Sequence, residues 1–168
     1  NHQAKAGTPT MGGVVFVFAT VVAILLTARL ENFYILGALI CIAGFSFIGI
    51  KDDLAKISSN KNDEGLTAKG KMILQIVASL FVICFLFLAN HPTEFYMPFY
   101  KLPLFDSSVF MIFFWVLVMV AATNAVNLTD GLDGLATVPS LWGMFSLSLI
   151  VYVTGHAIFS EYLLLPNI

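Results

Sequence analysis

The sequence predicts an all-α membrane protein that crosses the bilayer several times, and three observations carry that prediction. Of its 168 residues, 59% are apolar and only 11% are charged, where a soluble domain carries about 25% charged residues. The mean hydropathy is +0.92, more apolar material than a domain of this size can keep inside. The charges are also bunched: residues 6–28, 32–50, 72–93, 107–129 and 134–160 contain none. The same composition excludes a disordered chain and a nucleic-acid binder. Eight Lys and Arg against ten Asp and Glu leave no basic surplus for a phosphate backbone.

Each charge-free run is long enough to cross the hydrocarbon core, which takes about 20 residues of helix. A charge at mid-bilayer costs roughly 2.5–3.5 kcal/mol, so clean runs of this length are informative. Only helices and closed barrels satisfy every backbone group inside lipid, and these runs are continuous rather than alternating, which makes them helices. Trimmed at their ends they place helices near 12–29, 33–50, 72–90, 108–126 and 137–154, in a single membrane domain over residues 1–168. The chain starts at Asn1 without a secretory leader, and residues 162–168 fall inside another apolar run, so it reads as an internal stretch of a longer membrane protein. Cys41 and Cys84 both lie in apolar runs and form no disulfide framework.

Lysine and arginine set the expected orientation. The side holding Asn1 carries Lys5, Lys51, Lys56, Lys61, Lys69 and Lys71, and the other side carries Arg29 and Lys101. That bias makes the first side cytoplasmic. On the outer side, residues 90–107 hold three prolines with Phe95, Tyr96, Phe99 and Tyr100, an interfacial aromatic belt with turns. His91 and His156 read as solvated or interfacial, with no metal-ligand pattern around them.

Three polar segments stand out, and all fall on the cytoplasmic side. Gly7-Thr8-Pro9-Thr10-Met11-Gly12-Gly13 opens the first helix, where unpaired N–H groups and the helix dipole suit a phosphate and Lys5 adds a charge. The plainer reading is a capped start with Thr10 as N-cap. Lys51-Asp52-Asp53-Leu54-Ala55-Lys56 follows the second helix. If it stays helical, Lys56 shares a face with Asp53 and Asp52. Paired carboxylates suit a site where one holds a divalent cation and the other handles a proton or second ligand. A solvated helix stop is the alternative, although acids at a helix C-terminus oppose its dipole.

The third segment, Asn124-Ala125-Val126-Asn127-Leu128-Thr129-Asp130-Gly131-Leu132-Asp133-Gly134, is the most distinctive. Amides near the end of an apolar helix usually face a bundle interior. Two carboxylates each followed by glycine suit close backbone approach to a ligand. A calcium loop would need more oxygen ligands and a terminal Glu.

These segments, with the Asp52-Asp53 pair, Lys56, and Gly65-Leu66 followed by Lys71, resemble the phospho-N-acetylmuramoyl-pentapeptide transferases of the bacterial polyprenyl-phosphate hexosamine-1-phosphate transferase family. The likeness runs along the whole chain with the motifs in family order. It implies about five transmembrane helices of a roughly ten-helix fold. The later motifs, a third acidic residue and a histidine-rich loop, do not occur in these residues, so no complete site forms from them alone. The implied reaction joins UDP-N-acetylmuramoyl-pentapeptide to undecaprenyl phosphate, giving lipid I and UMP with Mg²⁺, at the cytoplasmic face of the bacterial inner membrane.

Carried over by position, Asp52 resembles the proposed general base and Asp53 its essential neighbour. Lys5, Lys56 and Lys71 resemble phosphate-contacting lysines. Asn124, Asn127, Asp130, Gly131, Leu132 and Asp133 resemble the cluster around nucleotide and metal. Asp53 and Asp130 are the metal candidates in this chain, the family's principal ligand lying outside it. The partners implied are the nucleotide substrate, the lipid phosphate and membrane lipid, with a homodimer as a candidate assembly. Two other readings are a sibling enzyme moving N-acetylglucosamine-1-phosphate and a transporter. Transporters place polar breaks near mid-bilayer, whereas these lie at its surface.

Overall fold

The computed structural model of the chain describes residues 12–58, 65–97, 100, 102–130 and 135–163. It is helical apart from one short β-ladder: α1 (Gly12–Thr27), α2 (Phe33–Ser58), α3 (Ala68–Leu88), β1 (Glu94–Phe95), β2 (Phe105–Asp106), α4 (Ser108–Thr129), α5 (Thr137–Thr154) and α6 (Ala157–Leu163). Among the described residues, four helices (α2, α3, α4 and α5) are long and apolar enough to cross a membrane. The fifth expected span, α1, has 16 residues among those described. The chain forms two compact units, Asn1–Val120 and Ala121–Ile168.

In the first unit, α2 is 26 residues long, roughly 39 Å, and outruns the hydrocarbon core. The charge-free run stops at Ile50, but no Gly or Pro follows to break the helix before Ser58. The last two turns therefore carry Asp52, Asp53 and Lys56 past the spanning stretch as a rigid extension.

α2 and α3 pack as an antiparallel pair through small residues. A Cβ at Gly37 would lie 3.5 Å from Leu86 and 3.6 Å from Phe85, and one at Gly44 would lie 3.6 Å from Ala78. Small residues let backbones approach where lipid supplies no hydrophobic drive between helices. The register these contacts set, continued toward the polar end, brings Asp52 opposite Lys71. The seam itself is partly polar: Gln75 and Ser79 are buried, and the Ser79 hydroxyl donates to the Gln75 carbonyl at 2.8 Å. The only buried large hydrophobics among the described residues are Ile48, Val82, Ile83 and Met111, while Phe16, Leu26, Phe81 and Val109 stand exposed. Apolar side chains facing outward suit a hydrocarbon solvent.

The opposite end of the pair is closed differently. Asn90 adopts φ 54°; its N–H donates to Phe87 O, and that of His91 donates to Leu86 O. This is a Schellman stop with asparagine at the left-handed position. It turns His91 back onto the helices, where its ring lies 5.5 Å from Tyr34 and 5.3 Å from Trp115 and its Nδ1 pairs with the Tyr34 hydroxyl at 3.2 Å. His91 is thus half-buried, which corrects the expectation of a solvated residue.

The connection between α3 and α4 also holds a ladder that its turns and aromatics did not announce. Glu94 pairs with Asp106 and Phe95 with Phe105. Phe95 stacks on Phe105 and meets Phe110 and Phe114 edge-on.

The second unit holds the last turns of α4, then α5 and α6. α5 accepts Pro139 because the first turn of a helix has no intrahelical use for its N–H. His156 sits between α5 and α6, its ring 4.6 Å from Phe159.

Candidate functional site

The polar end of the α2–α3 pair is built around one carboxylate. Asp52 is buried, at 8% exposure, and three groups from different parts of the chain meet it. Lys56, one turn further along α2, places Nζ 2.8 Å from Oδ2. Lys71, in the first turn of α3, lies 3.6 Å from the same oxygen. The main-chain N–H of Leu66 donates to Oδ1 at 2.9 Å. Leu66 stands just before Thr67, the N-cap whose hydroxyl accepts from Gly70 N. The carboxylate therefore also lies by a helix N-terminus, where negative charge is favoured. This offsets the unfavourable position of an acid at the C-terminal end of α2.

Burial pushes the Asp52 carboxyl up, but hydrogen bonds from Lys56 and Leu66 and the charges of Lys71 and Lys56 outweigh it and hold it below its ordinary value. The Lys56 ammonium is pushed up, chiefly by its hydrogen bond to Asp52. Asp52 is thus an anion and Lys56 a cation at neutral pH.

Asp53 differs from its neighbour. It is half-exposed, with Oδ1 3.6 Å from Lys56 Nζ. It also lines a cleft of about 150 Å³ between α1 and α2, together with Gly13, Val17, Ser46 and Gly49. The pair of acids therefore splits into one carboxylate occupied by lysines and one open to an incoming group. Among the described residues no three His, Cys, Asp or Glu side chains converge to hold a metal ion. Mg²⁺ needs less from a protein, taking one or two carboxylates with substrate phosphates and waters. Asp53 suits that role, and Asp52, with donors on both oxygens, does not.

The structure brings together Asp52, Asp53, Lys56 and Lys71 of the predicted residues. Asn124 and Asn127 lie in the last two turns of α4 and Asp130 just beyond it, in the second unit and exposed. Lys5, Thr10, Gly131, Leu132 and Asp133 lie outside the described residues. Two contributors had no role assigned from sequence: the Leu66 N–H, and Gly65, whose approach to Asp52 is treated below. The sequence signals for them were the Gly65-Leu66 step of the family resemblance and a glycine two residues ahead of a threonine cap.

The sequence pattern of glycosyl transferase family 4 matches residues 35–166, which include every residue of the Asp52 cluster. The chain belongs to this family. A signature of the phospho-N-acetylmuramoyl-pentapeptide-transferases also matches residues 5–17. Curated proteins bearing that name are similar along the chain. The one from Aliarcobacter butzleri is 58% identical over 168 residues, covering 100% of this chain and 48% of the relative. That from Sulfurimonas denitrificans is 55% identical over 99% of this chain and 48% of the relative. That from Helicobacter hepaticus is 50% identical over the same shares. The chain thus spans about half the length of the curated relatives it matches.

Proposed function

We propose that the protein to which this chain belongs transfers phospho-N-acetylmuramoyl-pentapeptide from its UDP derivative to undecaprenyl phosphate. The products are lipid I and UMP, and the work is done at the cytoplasmic face of the bacterial inner membrane. The observation that carries the reading is the pair of lysines gathered on buried Asp52 where two membrane helices end. A soluble nucleotide and a lipid phosphate can meet only at such a surface. An oxygen of the lipid phosphate attacks the sugar-bearing phosphorus, the bond from that phosphorus to the bridging oxygen breaks, and UMP leaves with the electron pair. Several negative charges converge during this step and must be met by cations already in place.

Lys56 and Lys71 contact phosphate oxygens, and Lys5 adds a third charge from the start of the first helix. Asp53 or Asp130 would hold Mg²⁺ together with substrate phosphates, and the ion would supply further neutralisation of charge. Asn124, Asn127, Asp130, Gly131, Leu132 and Asp133 bind the nucleotide. The names of the relatives and the order of the motifs support the muramoyl substrate over N-acetylglucosamine.

The test is UMP release by the full-length protein, supplied in turn with UDP-N-acetylmuramoyl-pentapeptide and UDP-N-acetylglucosamine, with undecaprenyl phosphate and with or without Mg²⁺. Mg²⁺-dependent release from the first substrate alone is expected. Release from the second alone would move the protein to the sibling activity, and release from neither would remove the enzymatic reading.

A further inference from the structure

We propose that Gly65 and the Leu66 N–H form a positioning element: they reach over Asp52 and, through its carboxylate, fix where Lys56 and Lys71 present their ammonium groups. The inference rests on the phosphate-transfer reading and deepens it. Asp52 is held at both oxygens, by the Leu66 N–H on Oδ1, by the Lys56 donor at 2.8 Å on Oδ2 and by the charge of Lys71 at 3.6 Å from Oδ2. Its carboxylate cannot swing toward one set without leaving the other. The Leu66 N–H reaches Oδ1 only because residue 65 has no side chain. A Cβ there would lie 2.6 Å from Oδ1, 3.3 Å from Cγ and 2.9 Å from Lys56 Cε.

Lysine Cε is the far part of a flexible stem and can give way. The carboxylate is short, buried and held on three sides, so it cannot give way without releasing a donor. Glycine is required here for space. The element thus sets the orientation of the lysines before any substrate arrives, and a displacement of about 1 Å in such a group can cost two orders of magnitude in rate.

A double-mutant cycle in the full-length protein tests this, with transfer rate and folded yield measured for Gly65→Ala, Asp52→Asn and the combination. If Gly65 acts through Asp52, Gly65→Ala loses roughly 10- to 100-fold in kcat. In the Asp52→Asn background it then costs little more, because coupled residues are non-additive. Gly143→Ala makes the same chemical change where a Cβ meets nothing within 4 Å, and should leave the rate unchanged. Losses that multiply in the double variant, or a Gly65→Ala enzyme as fast as wild type, overturn the proposal.

Should Gly65→Ala not fold, replacing the Leu66 amide by an ester removes the N–H alone, and an undiminished rate there overturns it equally. A readout free of turnover separates this inference from the functional reading. Acylation of Lys56 by an amine reagent at pH 8.5, followed by mass spectrometry, should quicken in Gly65→Ala and Asp52→Asn. Unchanged labelling in both sinks the positioning role even if transfer is confirmed. Quickened labelling in a protein that transfers nothing keeps the positioning role and rejects the reaction.

Discussion

The two ends of the α2–α3 pair are closed by opposite means. At one end a buried carboxylate holds two lysines and a backbone N–H. At the other a Schellman turn folds His91 between Tyr34 and Trp115, and the neighbouring ladder stacks Phe95 on Phe105. At the aromatic end, among the described residues, His91 pairs with Tyr34 and Thr93 with Asp106. The charged end leaves its lysine side chains partly exposed, Lys56 at 41% and Lys71 at 21%. Burial of charge is costly and marks function more often than burial of rings. On the proposed function, chemistry belongs to the first end and anchoring to the second.

Asp52→Asn strikes the charged end at its centre and should have the largest effect. A loss of 100-fold or more in kcat at pH 7.5 is expected with the folded yield preserved, and a loss below about 5-fold would erase the distinction between the ends. On the proposed function, Lys56→Met and Lys71→Met each remove one charged hydrogen bond to phosphate, worth about 1.5–3 kcal/mol, so kcat/KM should fall roughly 10- to 150-fold. Asp133→Ala carries the same kind of loss to the nucleotide and should raise KM for the UDP-sugar while leaving KM for the lipid phosphate in place. A change confined to the lipid KM would contradict the assignment.

The smallest effect belongs to the aromatic end. Burial lowers the His91 pKa. The folded chain therefore takes up its proton less readily than the unfolded one, and stability falls as pH drops below about 6.5. Thermal unfolding between pH 7.5 and 5.5 should show a modest fall in Tm. His91→Phe should remove that slope without changing the transfer rate at pH 7.5. A tenfold slower enzyme would mean that the aromatic end takes part in the chemistry.

Much of this was legible in the residues. Charge-free runs marked the apolar stretches, although α2 continues to Ser58 and α3 begins at Ala68, and the spacing of Asp52, Asp53 and Lys56 marked a shared face. The contact between Asp52 and Lys71 was not legible, because it depends on the α2–α3 register, which Gly37 and Gly44 set through close backbone approach. Sequence spacing cannot reveal a main-chain donor such as Leu66, since every residue but proline carries one. The β1–β2 ladder has two residues per strand, too few for alternation to show. His91 was misread because the decisive residue was Asn90, whose left-handed conformation turns the chain inward.

If Asp52 works by holding cations, the pH dependence of its asparagine variant shows it most directly. A phosphate monoester has a second pKa near 6, so above neutrality the lipid phosphate is already largely a dianion. A base there can gain only a small factor, well below the 10²–10⁴ typical of general base catalysis. The kcat of Asp52→Asn, followed from pH 6.5 to 9 beside wild type, should stay depressed by a near-constant factor across the range. Recovery to near wild-type rate between about pH 8 and 9 would contradict the account and make Asp52 the base.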